Sequence, residues 1–284
     1  MINRDRLVKT FCDLARIDSP SGEEETIATV LTQHLENLGL NVIRDSYRNV
    51  IASDGRESPL MLSGHMDTVE PGRGVKPRVD GDRIVSDGTT ILGGDCKAGV
   101  SAILEALKSL KEDNIEHMPV EVVFTREEEI ALLGAQKLDF SKIRAREAIV
   151  FDSEGPVSKI TSSSPTYVGF DIEIKGRAAH AGVEPEKGVS AIRAAAELIA
   201  SLPQGRLDEK TTFNVGTIEG GRVRNAVPDV ASLRGEFRSM DIETVDSLRL
   251  QLQETLDRVR RTFPEASIEA EVNTEFKTYS LGED

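Results

Sequence analysis

The chain has 284 residues, 38% of them hydrophobic and 30% charged, with a formal net charge of −14. That length accommodates two domains and a sizeable core. The acidic balance argues against a nucleic-acid or anionic-membrane surface, and is compatible with metal binding or simply with solubility.

The N-terminus, "MINRDRLVKTFCDLARIDSP", mixes charges into an amphipathic pattern and lacks the apolar core of a signal peptide. Leu7, Phe11 and Leu14 recur at helical spacing. After "DSPSG", Ser21 and Glu24 form a capping-box pattern, and Ile27, Val30, Leu31, Leu35 and Leu38 mark one helix face up to Gly39. "NVIRDSYRNVIAS" reads as strand material, and "PLMLS" (59–63) as a buried strand. "KAGVSAILEALKSL" predicts a helix facing a core with Val100, Ile103, Leu104 and Leu107. "VEVVF" and "AIVF" predict two more buried strands. Strands alternating with helices imply an α/β domain over residues 1–163: a mixed, mainly parallel sheet with helices on both faces.

The character changes at the polar run "TSSSPT" (161–166), which reads as a hinge. Beyond it, alternating strands enclose helices near 188–202 and 241–263. The order β-α-β-β-α-β predicts a ferredoxin-like domain over 164–279, one sheet face covered by two helices. No repeat or low-complexity tract is present, and the apolar runs fall far short of a membrane span. Cys12 and Cys96 are the only cysteines, which implies no disulfide framework and suits a reducing cytoplasm.

In open α/β sheets, ligands bind beyond the carboxyl ends of the strands. His65 and Asp67 follow "PLMLS"; Glu127, Glu128 and Glu129 follow "VEVVF"; Asp152, then Glu154, follow "AIVF". Asp95 sits on the Gly-rich turn "LGGDCKAG" at a helix start. A single His after a strand is ordinarily just hydrogen-bonded, and an Asp before a helix is ordinarily a cap. Jointly, so many carboxylates on one rim need a counter-charge. A divalent metal pair with a bridging carboxylate supplies it, while Asp67 can fix the tautomer of His65. "LGGDCKAG" lacks the full phosphate-loop pattern, and the surrounding acids would repel phosphate.

At these residues the sequence resembles the co-catalytic zinc exopeptidase family that includes peptidase T, glutamate carboxypeptidase and acetylornithine deacetylase. The matching segments are "LSGHMDTVEPG", "SDGTTILGGDCKAGVSAI", "VVFTREEEIALLGA", "FDSEGP", "GRAAHAGVEPEKGVSAI" and "GGRVRNAVPDVASLRGEFRS". "GHMDTVEPG" and "SDGTTILGGD" are most similar to the peptidase T branch of tripeptide aminopeptidases. The resemblance implies two zinc ions, with His65 on one, Asp67 orienting it, and Asp95 bridging both. Glu128 matches the general base, Glu129 the metal ligand beside it, and Asp152 a ligand of the other zinc, with Glu127 preceding the pair. It also implies hydrolysis of short peptides by a cytoplasmic homodimer that pairs through the second domain. His180, Asn225 and Arg238 match substrate-contacting positions, His180 reaching the partner's active site. His34 and His117 match no motif and read as structural.

Two departures accompany the resemblance. Cys96 stands where the peptidase T branch usually has a second Asp, and reads as a buried, inert thiol. Relatives also return to the first domain, adding strands, helices and a final His ligand. Residues 280–284 correspond to the start of that return, and none of the four His follows His180. The expectation is therefore the N-terminal part of a metallopeptidase, its first sheet incomplete and its second zinc short of a nitrogen ligand. Two other readings fit the same residues: a non-catalytic remnant that dimerises or binds peptide, and an amidase or deacylase acting on an N-acylated amino acid.

Overall fold

A computed structural model describes residues 1–153 and 155–282. The chain divides into two compact units, Met1–Lys159 and Ile160–Asp284.

The first unit opens with α1 (Arg4–Ala15), whose Asn3 cap accepts the Arg6 amide at 3.0 Å. Next comes α2 (Glu25–Leu38), ended by Gly39 at φ +91°, a left-handed cap that suits glycine. The capping-box expectation for Ser21 and Glu24 fails: Glu24 occupies the cap position, yet neither side chain caps the helix. Both have other partners.

β1 (Asn41–Arg44), β2 (Val50–Ser53) and β3 (Leu60–His65) follow, then a hairpin of β4 (Arg78–Asp80) and β5 (Arg83–Val85). α3 (Gly94–Glu112), β6 (Val120–Thr125), the short α4 (Leu133–Gln136) and β7 (Glu147–Val150) complete the unit. The sheet order is β1-β2-β6-β3-β7. It is mixed: β6, β3 and β7 run parallel, while β2 is antiparallel to both β1 and β6. Leu14 of α1, Ile27, Leu31 and Leu35 of α2, and Val100, Ile103 and Leu104 of α3 form one core with Val50, Ala52, Val122 and Phe124. Alternation turns Glu121 to the opposite face, where it is buried and accepts the amides of Arg144 and Ala145, each at 3.0 Å.

β6 is buried along its whole length, as its β-branched run implies. β7 is not: at the sheet edge, it leaves Ile149 47% and Val150 57% exposed. The buried strand expected at "AIVF" is thus an exposed edge strand. An apolar run reports strand propensity, not how many neighbours the strand acquires.

The second unit contains β8 (Ser163–Ser164), β9 (Thr166–Lys175), β10 (Ala179–His180), α5 (Ala191–Ser201), β11 (Gly205–Asp208) and β12 (Thr211–Gly220). It ends with β13 (Ala226–Val227), β14 (Val230–Ser239), α6 (Ile242–Thr262), β15 (Ser267–Phe276) and β16 (Tyr279–Ser280). Its main sheet is antiparallel, ordered β11-β12-β14-β9-β15. Without the edge strand β11, this is the ferredoxin-like β-α-β-β-α-β arrangement. Alternate residues of β9 (Val168, Phe170, Ile172 and Ile174) pack with Phe213, Phe237, Leu198 and Leu252 under α5 and α6. Each buried Phe there contributes roughly 2–3 kcal/mol. No helix among the described residues is long and apolar enough to cross a membrane.

Candidate metal centre

The parallel strands β3, β6 and β7 end side by side, and the loops leaving them carry the chemistry. His65 is the last residue of β3, paired in register with Thr125 of β6. Its imidazole is buried, with Nε2 3.0 Å from Asp95 Oδ1, 3.6 Å from Asp152 Oδ1 and 3.8 Å from Glu128 Oε2. Nδ1 faces Asp67 Oδ1 at 3.3 Å.

Asp95 reaches the site from a break at the start of α3, where Asp95 and Cys96 have non-helical backbone angles. Close packing holds that turn in place: a Cβ on Gly99 would lie 2.3 Å from the Phe151 carbonyl. Asp152 follows directly.

Two donor groups result. His65, Asp95, Cys96 and Asp152 form one, and His65, Glu128 and Glu129 the other, with ligand atoms within 4.8 Å of one another in each. Asp152 thus joins His65 and Asp95. Within the first group, Cys96 is a hydrogen-bond donor: its Sγ donates to the Phe151 carbonyl at 2.9 Å, and burial pushes the thiol pKa up to about 11. Glu127 is in neither group. It accepts the Tyr47 hydroxyl and lies beside Arg126. Glu154 lies outside the described residues.

The electrostatics call for a cation. Burial opposes a charged His65, but Asp152, Asp67 and Asp95 outweigh it and push its pKa up to about 12. Burial, with Asp152 and Glu129 nearby, pushes Glu128 up to about 7. Glu129 is also raised, first by burial, and Asp95 is raised by burial and by Asp152. These donors fit a zinc ion: an imidazole Nε2 whose other nitrogen faces a carboxylate, and carboxylate oxygens at spacings near the about 3.4 Å that separates tetrahedral ligands.

Together with the expected Asp67, residues that the sequence reading gave no role at the site frame it. Asp67, fully buried, accepts the Glu128 amide on Oδ1 at 2.9 Å, and the Glu129 amide and Ser21 hydroxyl on Oδ2 at 3.1 and 2.7 Å. Burial would raise its pKa; His65, Ser21 and these amides outweigh that and hold it low. Glu24, also fully buried, binds Arg126. Asn49 Oδ1 accepts the Arg126 amide at 3.1 Å, and its Nδ2 donates to the Gly134 carbonyl at 2.9 Å. Gly134 is required there, since a Cβ would lie 2.1 Å from the Arg126 carbonyl. Lys97, buried, donates to the Ile17 carbonyl at 2.8 Å. Of these, Ser21 and Glu24 were visible as a pattern with another explanation, and Arg126 adjoins the glutamate run.

In the second unit, His180 and Asn225 come together: β10 pairs with β13, and the Ala181 amide donates to the Asn225 carbonyl at 3.0 Å. Arg238 lies near the far end of β14, its guanidinium 4.3 Å over the Tyr167 ring and paired with Glu236 at 2.9 Å. His117 is half-buried and joined to Arg56, and burial lowers the His34 pKa.

Fold and site together define a metallopeptidase-like hydrolase. The family model for the M20 peptidase dimerisation domain matches residues 163–262, and that for peptidase family M28 matches residues 49–162. The uncharacterised protein YqjE of Bacillus subtilis is 41% identical over 258 residues, covering 87% of this chain and 70% of that protein. The crystal structure of aminopeptidase PepT from Bacillus cereus superposes with a TM-score of 0.88 at 38% identity, covering 99% of this chain and 79% of that one. A tripeptidase from Staphylococcus aureus gives a TM-score of 0.93 at 35% identity, covering 100% of this chain and 79% of that one. The chain belongs to the co-catalytic zinc peptidase family of peptidase T.

Proposed function

We propose that this protein hydrolyses peptide bonds in short peptides, using two zinc ions held by His65, Asp95, Glu129 and Asp152, with Glu128 as general base. One observation carries the reading: a single buried imidazole nitrogen lies within 3.8 Å of three carboxylates from three different loops. A shared cation accounts for so many acids around one nitrogen.

Bound there, zinc would supply Lewis acidity to the scissile carbonyl and bring the pKa of water towards neutrality. His65 offers Nε2, oriented by Asp67. Asp95, exposed and 3.0 Å from His65 Nε2, would be a carboxylate ligand shared between the ions. Glu128, half-buried and 3.8 Å from His65 Nε2, would take a proton from the attacking water and pass it to the departing amine. Similarity to an aminopeptidase and a tripeptidase supports short peptides as the substrate class.

The ferredoxin-like domain expected over 164–279 is assigned to homodimerisation, supported by the match of residues 163–262 to the peptidase dimerisation domain. His180, Asn225 and Arg238 are assigned to substrate contact; a substrate carboxylate would compete with Glu236 for Arg238. The two free cysteines suit a cytoplasmic setting.

The test is tripeptide hydrolysis after zinc is restored to chelator-treated protein. Zinc-dependent turnover supports the reading. Turnover of N-acylated amino acids but not tripeptides would move the assignment to an amidase or deacylase, and zinc binding without any turnover would favour a remnant.

A further inference from the structure

The loop that carries Glu128 and Glu129 is held at its amides by two buried carboxylates. Three successive backbone N–H groups donate to them: Glu127 to Glu24 Oε1 at 3.1 Å, Glu128 to Asp67 Oδ1 at 2.9 Å, and Glu129 to Asp67 Oδ2 at 3.1 Å. Asp67 serves His65 as well. Glu24 touches no metal donor, yet its side chain is fully buried.

A buried carboxylate persists only with a counter-charge and hydrogen bonds. Glu24 has both. Arg126 donates Nε and Nη2 to Oε2 at 2.8 and 2.6 Å, and the Gly22 amide donates to Oε1 at 2.9 Å. Arg126 Nη2 also reaches the Gly22 carbonyl at 3.1 Å, so the pair joins the 17–24 segment to the glutamate loop. That segment is itself anchored, by Lys97 at Ile17, by the Thr68 amide on the Ser19 carbonyl at 2.9 Å, and by Arg73 on Glu23 at 2.8 Å.

The loop needs such restraint. Glu127 has φ +50°, and Ala131 and Leu132 have φ +75° and +58°. Each non-glycine residue held in the left-handed region costs of order 1 kcal/mol, and persists where its surroundings over-determine it. The Glu127 amide bond to Glu24 lies at the first of these residues, immediately before the proposed base.

We infer that Glu24, paired with Arg126, is a positioning residue for Glu128 and Glu129. It acts through the main chain, fixing where the loop presents its base and its metal ligand. The inference rests on the metal reading above for its consequence, though not for the restraint itself.

Two readouts test it, with Glu105→Gln as control. Glu105 is an equally buried carboxylate paired with an arginine, Arg6, in the same unit, three turns along α3 from the site. The first readout is amide hydrogen exchange of the peptide spanning 126–133. Glu24→Ala is expected to speed exchange there by about tenfold or more, with Glu24→Gln intermediate because its amide oxygen still receives the Glu127 N–H. The second is zinc affinity in a competition titration. Glu24→Ala should weaken it about tenfold, and Glu24→Gln less, as for other residues that orient metal ligands. Glu105→Gln should lower thermal stability while leaving both readouts at the wild-type value. The inference is overturned if Glu24→Ala matches Glu105→Gln in both readouts. If the wild type binds no zinc, the metal reading fails, and unchanged exchange at 126–133 in Glu24→Ala would separately remove the restraint.

Discussion

Asp67 stands 3.3 Å from His65 Nδ1, so the carboxylate beside the proposed zinc ligand also receives the amides of Glu128 and Glu129. One buried side chain thereby fixes the orientation of the metal-binding imidazole relative to the base. Asp67→Ala should lower zinc affinity by about 10–100-fold and destabilise the fold by about 3 kcal/mol or more. Asp67→Asn, which keeps one acceptor oxygen, should fall between. Calorimetric zinc titration and urea unfolding check both.

Glu128 carries a pH signature. Its pKa in the folded protein, about 7, lies above the ordinary 4.5, so folding favours its protonated form. That contribution is complete below pH 4.5 and is lost as pH rises through 7. In chelator, Glu128→Gln should therefore raise the melting temperature at pH 8 by about 2–4 °C and leave it unchanged at pH 4. The same variant should abolish turnover while retaining zinc.

Glu105 titrates the opposite way. Burial disfavours its charge, but Arg6, the Asn3 amide and Ser109 outweigh burial and bring its pKa down to about 2. Its stabilisation is present above pH 4.5 and disappears as pH falls through about 2. Glu105→Gln should cost about 3 kcal/mol at pH 7 and nothing at pH 2. Denaturant unfolding at the two pH values checks the difference.

Cys96 should be inert despite its place beside the metal donors. With a thiol pKa pushed up to about 11, roughly one molecule in a thousand is thiolate at pH 8. Native protein treated with a thiol reagent should leave the Cys96 peptide unlabelled by mass mapping, and denatured protein should label it fully. Rapid native labelling at Cys96 would contradict the buried, hydrogen-bonded thiol.

How far the site was legible in the sequence follows from where each residue's partner lies along the chain. His65, Asp95, Glu128, Glu129 and Asp152 were readable because each follows a strand or opens a helix, and parallel strands bring such positions to one rim. Glu24 and Arg126 were not, because they are separated by 102 residues and "SGEE" before a helix already has a local explanation as a cap. An incomplete first sheet was expected, but which strand would lie at its edge was not readable: "AIVF" has the composition of a central strand, and only the sheet order places it at the edge. In the second unit, alternation along β9 and β14 identified the buried face, but nothing local set His180 beside Asn225; the β10–β13 pairing did.

The most direct measurement is tripeptide hydrolysis as zinc is titrated back into chelator-treated protein, for the wild type and Glu128→Gln side by side. Turnover that rises with zinc and saturates near about two equivalents, and that is absent from Glu128→Gln, is the predicted result. Hydrolysis that persists undiminished without metal, or in Glu128→Gln, would contradict a metal-dependent peptidase built on His65 and Glu128.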